Sequence, residues 1–250
     1  MQEWCPCILR KNVSLLWQNR NKDVIIVCKV DIFCMDVTGM VEIEFDGVGK
    51  AFGGNVVFKD FSAQLQPGKI TAVSGGNGSG KSTLLRLAAR LISPDRGKVM
   101  ARDKETGLVL EKADFRNRLA MVTPEMRFYP RLTARENLDF LLGLRGESLD
   151  DDSYSQLLER VGLSHRRVEG ILAGGLSTGM RQRLKLAVLL SSRAEVWLLD
   201  EPGANLDAEG RALVLNEARQ AAELGTLVLL ATNDEREEAA ADECISLGRD

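Results

Sequence analysis

Residues 41–46 alternate apolar Val41, Ile43 and Phe45 with acidic Glu42, Glu44 and Asp46, and this period of two predicts a strand with one buried face. The stretch "FSAQL" at 61–65 alternates in the same way, and "QPGK" at 66–69 supplies a turn. Three further runs are continuous rather than alternating: "KITAVS" at 69–74, "EVWLLD" at 195–200 and "TLVLLAT" at 226–232. Strands buried on both faces have this composition, so the runs predict a parallel sheet covered by helices. After the first run, "STLLRLAARLI" at 82–92 has helical periodicity. The texture then changes. "TARENLDFLLGL" at 133–144 opens with a capping box from Thr133 to Glu136, and "DDSYSQLLERVGL" and "STGMRQRLKLAVLLSS" follow as two more amphipathic helices. A helical insertion over about residues 124–193 therefore interrupts an α/β core.

The first 39 residues have a different character, with two of the three tryptophans, four of the five cysteines and no clear period. They are expected to form an appendage, with the ordered domain beginning near Met40 and running to residue 250. The apolar run "VIIVC" is too short for the core of a signal peptide. No apolar run approaches the roughly 18 residues that span a bilayer, so any membrane role is expected to come through a partner. Cys5 and Cys7 form a C-x-C pair rather than the C-x-x-C of zinc sites, and the sole histidine, His165, is far along the chain. Free thiols in a reducing cytosol are the plainer reading of all five cysteines. A net charge of -3 and a pI of about 5.5 provide no global basic field for nucleic acid.

Chemistry enters at residues 75–83, "GGNGSGKST". A glycine, four residues and then Gly80-Lys81-Ser82 is the P-loop spacing, set here between a buried strand and a helix as the motif requires. Glycines allow successive backbone N–H groups to point inward at phosphate oxygens. Gly75, Asn77, Gly78, Ser79, Gly80, Lys81, Ser82 and Thr83 are thus the candidate phosphate-binding residues, with Lys81 reaching the outer phosphates and the Ser82 hydroxyl ligating Mg²⁺. Downstream, "VWLLDEP" places Asp200 and Glu201 at the end of a buried strand. An aspartate there holds Mg²⁺ through water, and the adjacent glutamate polarises an attacking water.

With these motifs in order, residues 40–250 resemble the ATP-binding subunits of ABC transporters. The resemblance is carried by the P-loop, the signature-like "LSTGM" at 176–180, "VWLLDEP", the D-loop-like "NLD" at 205–207, and "TPEMRFYPRLTARENL" in the place of the family's Q-loop. The compact cassette is similar to the haem-exporter ATPases of cytochrome c maturation, and equally to small export ATPases of unknown cargo. The resemblance implies a P-loop NTPase core with a parallel sheet, an antiparallel β subdomain at its start and an inserted α-helical subdomain. It implies ATP and Mg²⁺ as ligands, a head-to-tail pair with a second ATP-binding subunit, identical or different, and separate transmembrane subunits. The location implied is peripheral, at the cytoplasmic face of the inner (cell) membrane. Phe52 would stack on adenine, while Ser177, the Gly179 backbone and Asp207 would serve the nucleotide at the dimer interface.

Three motifs depart from the family pattern, at four positions. Thr178 and Met180 replace the signature's second glycine and its glutamine, while Ser177 and Gly179 remain. Glu125 stands where the Q-loop glutamine is expected, as a further candidate metal ligand and catalytic group or, on the plainer reading, as an exposed loop glutamate. In "LLATNDEREEA" Asn233 takes the place of the histidine that contacts the γ-phosphate; it can donate a hydrogen bond but carries no charge. Glu201 favours a transport-coupled ATPase. Asn233 and Glu125 favour a slow or non-hydrolysing module whose ATP-driven dimer closure regulates a partner. A role on DNA or ribosomes is disfavoured by the acidic balance, the single cassette and the lack of a coiled-coil insertion.

Overall fold

The computed structural model describes residues 40–248, together with a short antiparallel pairing of β1 (Leu15–Leu16) and β2 (Val27–Cys28). By contacts the chain divides into two units, residues 1–36 and 37–250. The readings of residues 1–39 as an appendage and of Cys5 and Cys7 as thiols lie outside the described residues.

Five strands form one parallel sheet in the order β10 (Glu243–Ser246), β5 (Ile70–Ser74), β9 (Leu227–Ala231), β8 (Val196–Asp200) and β7 (Leu119–Val122). All residues of β5, β8 and β9 are buried, which is the burial that their unbroken apolar sequences predict. Ile70 pairs with Val228 and Asp200 with Ala231, so the three central strands end at one edge. Everything that immediately follows them in sequence is delivered to that edge, the usual ligand-binding side of a parallel sheet.

A second, antiparallel sheet has the order β4 (Asn55–Leu65), β3 (Val41–Phe52) and β6 (Arg96–Asp103). Val41, Ile43 and Phe45 of β3 face inward, as the alternation predicts, and pack in one cluster with Leu84, Leu85 and Leu87 of α1 (Lys81–Ala88) and with Val196, Leu198, Leu227 and Leu229 of the parallel sheet. The first helix is thereby held between the two sheets, and its N-terminus is fixed beside the strand ends. The helical period through Ile92 overstates α1. Arg90 adopts a left-handed φ of 55° and its N–H bonds Leu87 O, which stops the helix at a residue with no glycine or proline to announce it. Neither β6, nor α2 (Lys112–Asn117), nor β7 has a sequence pattern strong enough to mark it.

Among the described residues the insertion carries four α-helices and no strand: α3 (Ala134–Gly143), α4 (Asp151–Arg160), α5 (His165–Val168) and α6 (Thr178–Ser191). Thr133 and Glu136 form both bonds of the capping box at the start of α3. One helix turn on, the fully buried Asn137 side chain accepts from Tyr129 N at 2.8 Å and donates to Tyr129 O, Leu132 O and Thr133 O, which fastens the segment entering α3. The remaining core helices are α7 (Ala208–Glu223), packed against β9 and β5, and the short α8 (Glu235–Ala239).

Helix α4 is tied to α7 by Arg160, whose Nε and Nη2 donate to the two Glu217 carboxylate oxygens at 2.9 and 2.6 Å, with the Glu217 side chain only 5% exposed. Arg160→Ala would strand that buried carboxylate. A loss of about 3–5 kcal/mol in unfolding free energy is expected, measured by urea denaturation monitored by circular dichroism. A change below about 1 kcal/mol would show that water or another side chain satisfies Glu217.

Candidate functional site

The loop after β5 turns through glycines that no other residue replaces without strain. Gly75, Gly78 and Gly80 have φ of 145°, 78° and 104°. A Cβ at Gly80 would come within 2.6 Å of Val57 Cγ1, and one at Gly75 within 2.6 Å of Leu247 O. At Gly76 the same position meets no atom within 4 Å, so the loop is open on that side. The buried Ser79 hydroxyl has no hydrogen-bond partner among the described residues. A polar atom left unpaired inside such a cradle is matched by a phosphate oxygen.

Lys81, 6% exposed at the start of α1, folds back over the loop. Its ammonium donates to Gly75 O at 2.6 Å, Gly76 O at 3.2 Å and Asn233 Oδ1 at 2.6 Å. The Asn233 amide in turn donates to Asn77 Oδ1 at 3.0 Å and Glu201 Oε1 at 3.1 Å. Four sequence candidates from three separate stretches thus meet in one network: Asn77, Lys81, Glu201 and Asn233.

Asp200 lies beside them as the buried last residue of β8. Burial pushes its carboxyl above the ordinary value, a Ser82 hydrogen bond opposes this, and the charges of Glu201 and Glu125 raise it further while that of Arg86 lowers it. A buried carboxylate bonded to a hydroxyl at the mouth of a phosphate cradle is a hard-oxygen donor set, and it fits Mg²⁺ held jointly with phosphate oxygens. Glu201 follows with φ of 49°, a left-handed conformation unusual for a glutamate. It is held there because its N–H bonds Ala231 O at 2.9 Å, while Gln182 Nε2 bonds the carbonyl of the next residue, Pro202, at 2.7 Å. This strain aims the carboxylate across the strand ends toward Asn233.

Glu125 is placed differently. Its side chain is 65% exposed and pairs with Arg86 Nη2 at 3.3 Å, and its charge still raises the Asp200 carboxyl. Its own backbone amide, then the Thr123 hydroxyl and the charges of Arg86 and Lys185, hold its carboxyl below the ordinary value against the opposing effect of burial. Its exposure agrees with the plainer reading of a loop glutamate, and its charge at Asp200 agrees with the candidate metal ligand. Phe52, 49% exposed at the end of β3 in the antiparallel sheet, has Lys50 Nζ 5.2 Å from its ring centre and presents an open aromatic surface. Ser177 caps α6 by accepting from Met180 N at 3.2 Å, and Asp207 caps α7 by accepting from Gly210 N at 2.8 Å while pairing with Arg183. Ser177, Gly179 and Asp207 are not among the contacts of this chain's own Lys81 network.

Several groups in and around the site are silent in the sequence. Arg86 neutralises Glu125, and Lys185, buried in α6 with its charge disfavoured by that burial, fastens Thr123 O at 2.7 Å. Glu237 lies in "DEREE", which reads as a solvated charge run, yet it is 3% exposed. Burial raises its carboxyl and a bond from the Thr232 hydroxyl opposes this. It packs so closely over Gly203 that any Cβ there would collide with it. Glu237 therefore clamps the turn after Glu201 to the segment that carries Asn233. A burial period through α8 is the only signal that could have found it, and five residues are too few to show one.

A glycine cradle between a buried parallel strand and a helix, with an acidic pair at a neighbouring strand end, defines a P-loop nucleotide-binding fold. A family model for the ABC transporter matches residues 58–204. The chain belongs to the ABC transporter family. It is 34% identical over 194 residues to the cytochrome c biogenesis ATP-binding export protein CcmA of Mannheimia succiniciproducens, covering 78% of this chain and 88% of that one. It is likewise 34% identical over 206 residues to PhnT of Salmonella typhimurium, a protein named provisionally for ATP binding in 2-aminoethylphosphonate import, covering 80% of this chain and 54% of that one. The chain thus spans about half the length of PhnT. Among solved structures, the dimeric post-hydrolysis state of the ATP-binding cassette MJ0796, bound to ADP and Pi, superposes with a TM-score of 0.70 at 21% identity, over 82% of this chain and 93% of that one.

Proposed function

We propose that this chain binds and hydrolyses ATP to power transport across a membrane through separate transmembrane subunits. The observation that carries the reading is the convergence of Lys81, Ser82–Asp200 and Glu201 at the shared edge of β5, β8 and β9. The loop amides and Lys81 bind the phosphates, Phe52 takes the adenine, and Glu201 orients and polarises the attacking water. Mg²⁺, held by Ser82 and Asp200, would supply neutralisation of phosphate charge. Ser177 and the Gly179 amide, at the start of the 14-residue helix α6, complete the site of a second cassette in a head-to-tail dimer, either of identical chains or of two different ones. In this reading the cassette sits peripherally at the cytoplasmic face on its membrane partners; among the described residues no helix is long and apolar enough to cross a membrane. Nucleic acid is not a partner in this reading, given the net charge of -3. Relatives 34% identical bear the names of both an exporter and an importer, as expected of a motor that does not itself touch the cargo.

A second reading, the slow nucleotide-responsive module, is favoured by one observation: the residue facing Lys81 and Glu201 is a neutral amide. Phosphoryl transfer spreads charge over the moving group, and a missing donor costs about 10²–10³ in rate. Steady-state phosphate release at saturating MgATP separates the two. The wild type is expected to hydrolyse slowly but measurably, and Asn233→His to raise turnover, because a cationic donor at this position acts in the transition state. No release from either form would favour the module, and equal release would show that the amide suffices.

A further inference from the structure

A lysine ammonium has three protons to donate. In this site all three are committed, to Gly75 O, Gly76 O and Asn233 Oδ1, at 2.6, 3.2 and 2.6 Å. Two of those acceptors are backbone carbonyls of the loop itself; the third belongs to a side chain from the far side of the site. That same amide donates to Glu201 Oε1 at 3.1 Å and to Asn77 Oδ1 at 3.0 Å. It therefore fills the space bounded by the phosphate-binding lysine, the P-loop and the water-polarising carboxylate. A terminal phosphate that touches Lys81 and lies before Glu201 must enter the same space.

The chemistry of the bridge is specific to an amide. Its carbonyl accepts from the cation while its NH₂ has two protons for the two acceptors. A neutral imidazole has only one donor and one acceptor, on different ring nitrogens, and an imidazolium has no acceptor and would repel Lys81. The bridge thus exists because asparagine, not histidine, stands at 233.

We propose that Asn233 is a latch of the empty site, binding Lys81 and Glu201 to each other through its amide so that an incoming nucleotide must displace its carbonyl from Lys81. The inference rests on the ATP-binding reading above and adds a positioning role that acts before any chemistry. In the latched state Glu201 is also engaged, so the lysine and the carboxylate are released together when phosphate arrives. Occupancy of the loop and readiness of the carboxylate are thereby coupled through one side chain.

The test uses ADP, which lacks the γ-phosphate, so that a contact between residue 233 and that phosphate cannot contribute. ADP is titrated calorimetrically onto the full chain and its Asn233→Ala and Asn233→Asp variants. Asn233→Ala frees one ammonium proton, and ADP is expected to bind about three- to tenfold more tightly, the range of one hydrogen bond. Asn233→Asp presents Lys81 with a charged acceptor, and ADP is expected to bind at least about tenfold more weakly. Shifts in opposite directions cannot come from structural damage, which would weaken both variants. Asn233→Ser, whose shorter hydroxyl does not span the site, should tighten ADP as alanine does and serves if the alanine variant fails to fold. ADP affinity that is unchanged or weaker in the alanine and serine variants overturns the latch and leaves the ATP-binding reading standing. A wild type that binds neither ADP nor ATP overturns both.

Discussion

Steady-state turnover is expected to fall by about 10²–10⁴-fold when Glu201 is replaced by glutamine, the usual contribution of a positioned acid–base group. The two side chains have the same shape, so the left-handed backbone at this position and its bond to Ala231 O persist. Glutamine retains an oxygen that accepts from Asn233, but it carries no charge to draw a proton from water. ATP should therefore bind with near wild-type affinity and remain intact. Two ATPs held unhydrolysed between head-to-tail cassettes stabilise the pair by mass action, so light scattering should show a shift from monomer to dimer on addition of ATP and Mg²⁺. Turnover equal to the wild type would remove Glu201 from the chemistry. Loss of turnover without dimerisation at saturating ATP would count against closure by the isolated cassettes.

Lys81→Ala should weaken ATP binding by about 10- to 150-fold, which is the value of one charge-assisted contact of 1.5–3 kcal/mol. Turnover should disappear with it, since the same ammonium also stabilises charge on the transferring phosphate. The empty site moderates the binding loss, because Lys81 must give up the Asn233 carbonyl to engage a phosphate and the net gain is the difference between the two. Removing the lysine also leaves Gly75 O and Gly76 O without their donor and loosens the loop, while the core around Leu84, Leu85 and Leu87 is untouched. Fluorescent-nucleotide titration together with a thermal unfolding curve separates the effects. Unchanged ATP affinity in a folded variant would exclude Lys81 from the phosphate site.

Both experiments concern residues that the sequence marks on its own, and the reason is the range over which their signals act. The P-loop is a local device: glycine conformations, a lysine and a hydroxyl within nine residues, bounded by a strand and a helix whose periods are equally local. The buried strands β5, β8 and β9 are as plain, because full burial on both faces leaves an unbroken apolar run. The capping box at Thr133 is likewise complete within four residues, and it forms as written.

What the sequence leaves open is every relation between distant residues. Nothing local distinguishes Glu237, in a charge run, from its exposed neighbours, yet packing over Gly203 buries it. The end of α1 at Arg90 has no breaker in the sequence, because the chain turns there to meet Leu110, whose carbonyl takes the Arg90 guanidinium at 2.7 Å. Glu125 stands where the family pattern places a glutamine, and only the fold brings it to Arg86 of α1, at 3.3 Å. Asn233 shows the division most sharply. Its identity as a departure from the family pattern is legible in one letter, whereas its bond to Lys81, 152 residues away, exists only because the parallel register of β5 and β9 brings their ends together. Periodicity and motif spacing encode which backbone forms and which groups are present; the alignment of strand ends, set by the burial of the whole sheet, decides which of those groups meet.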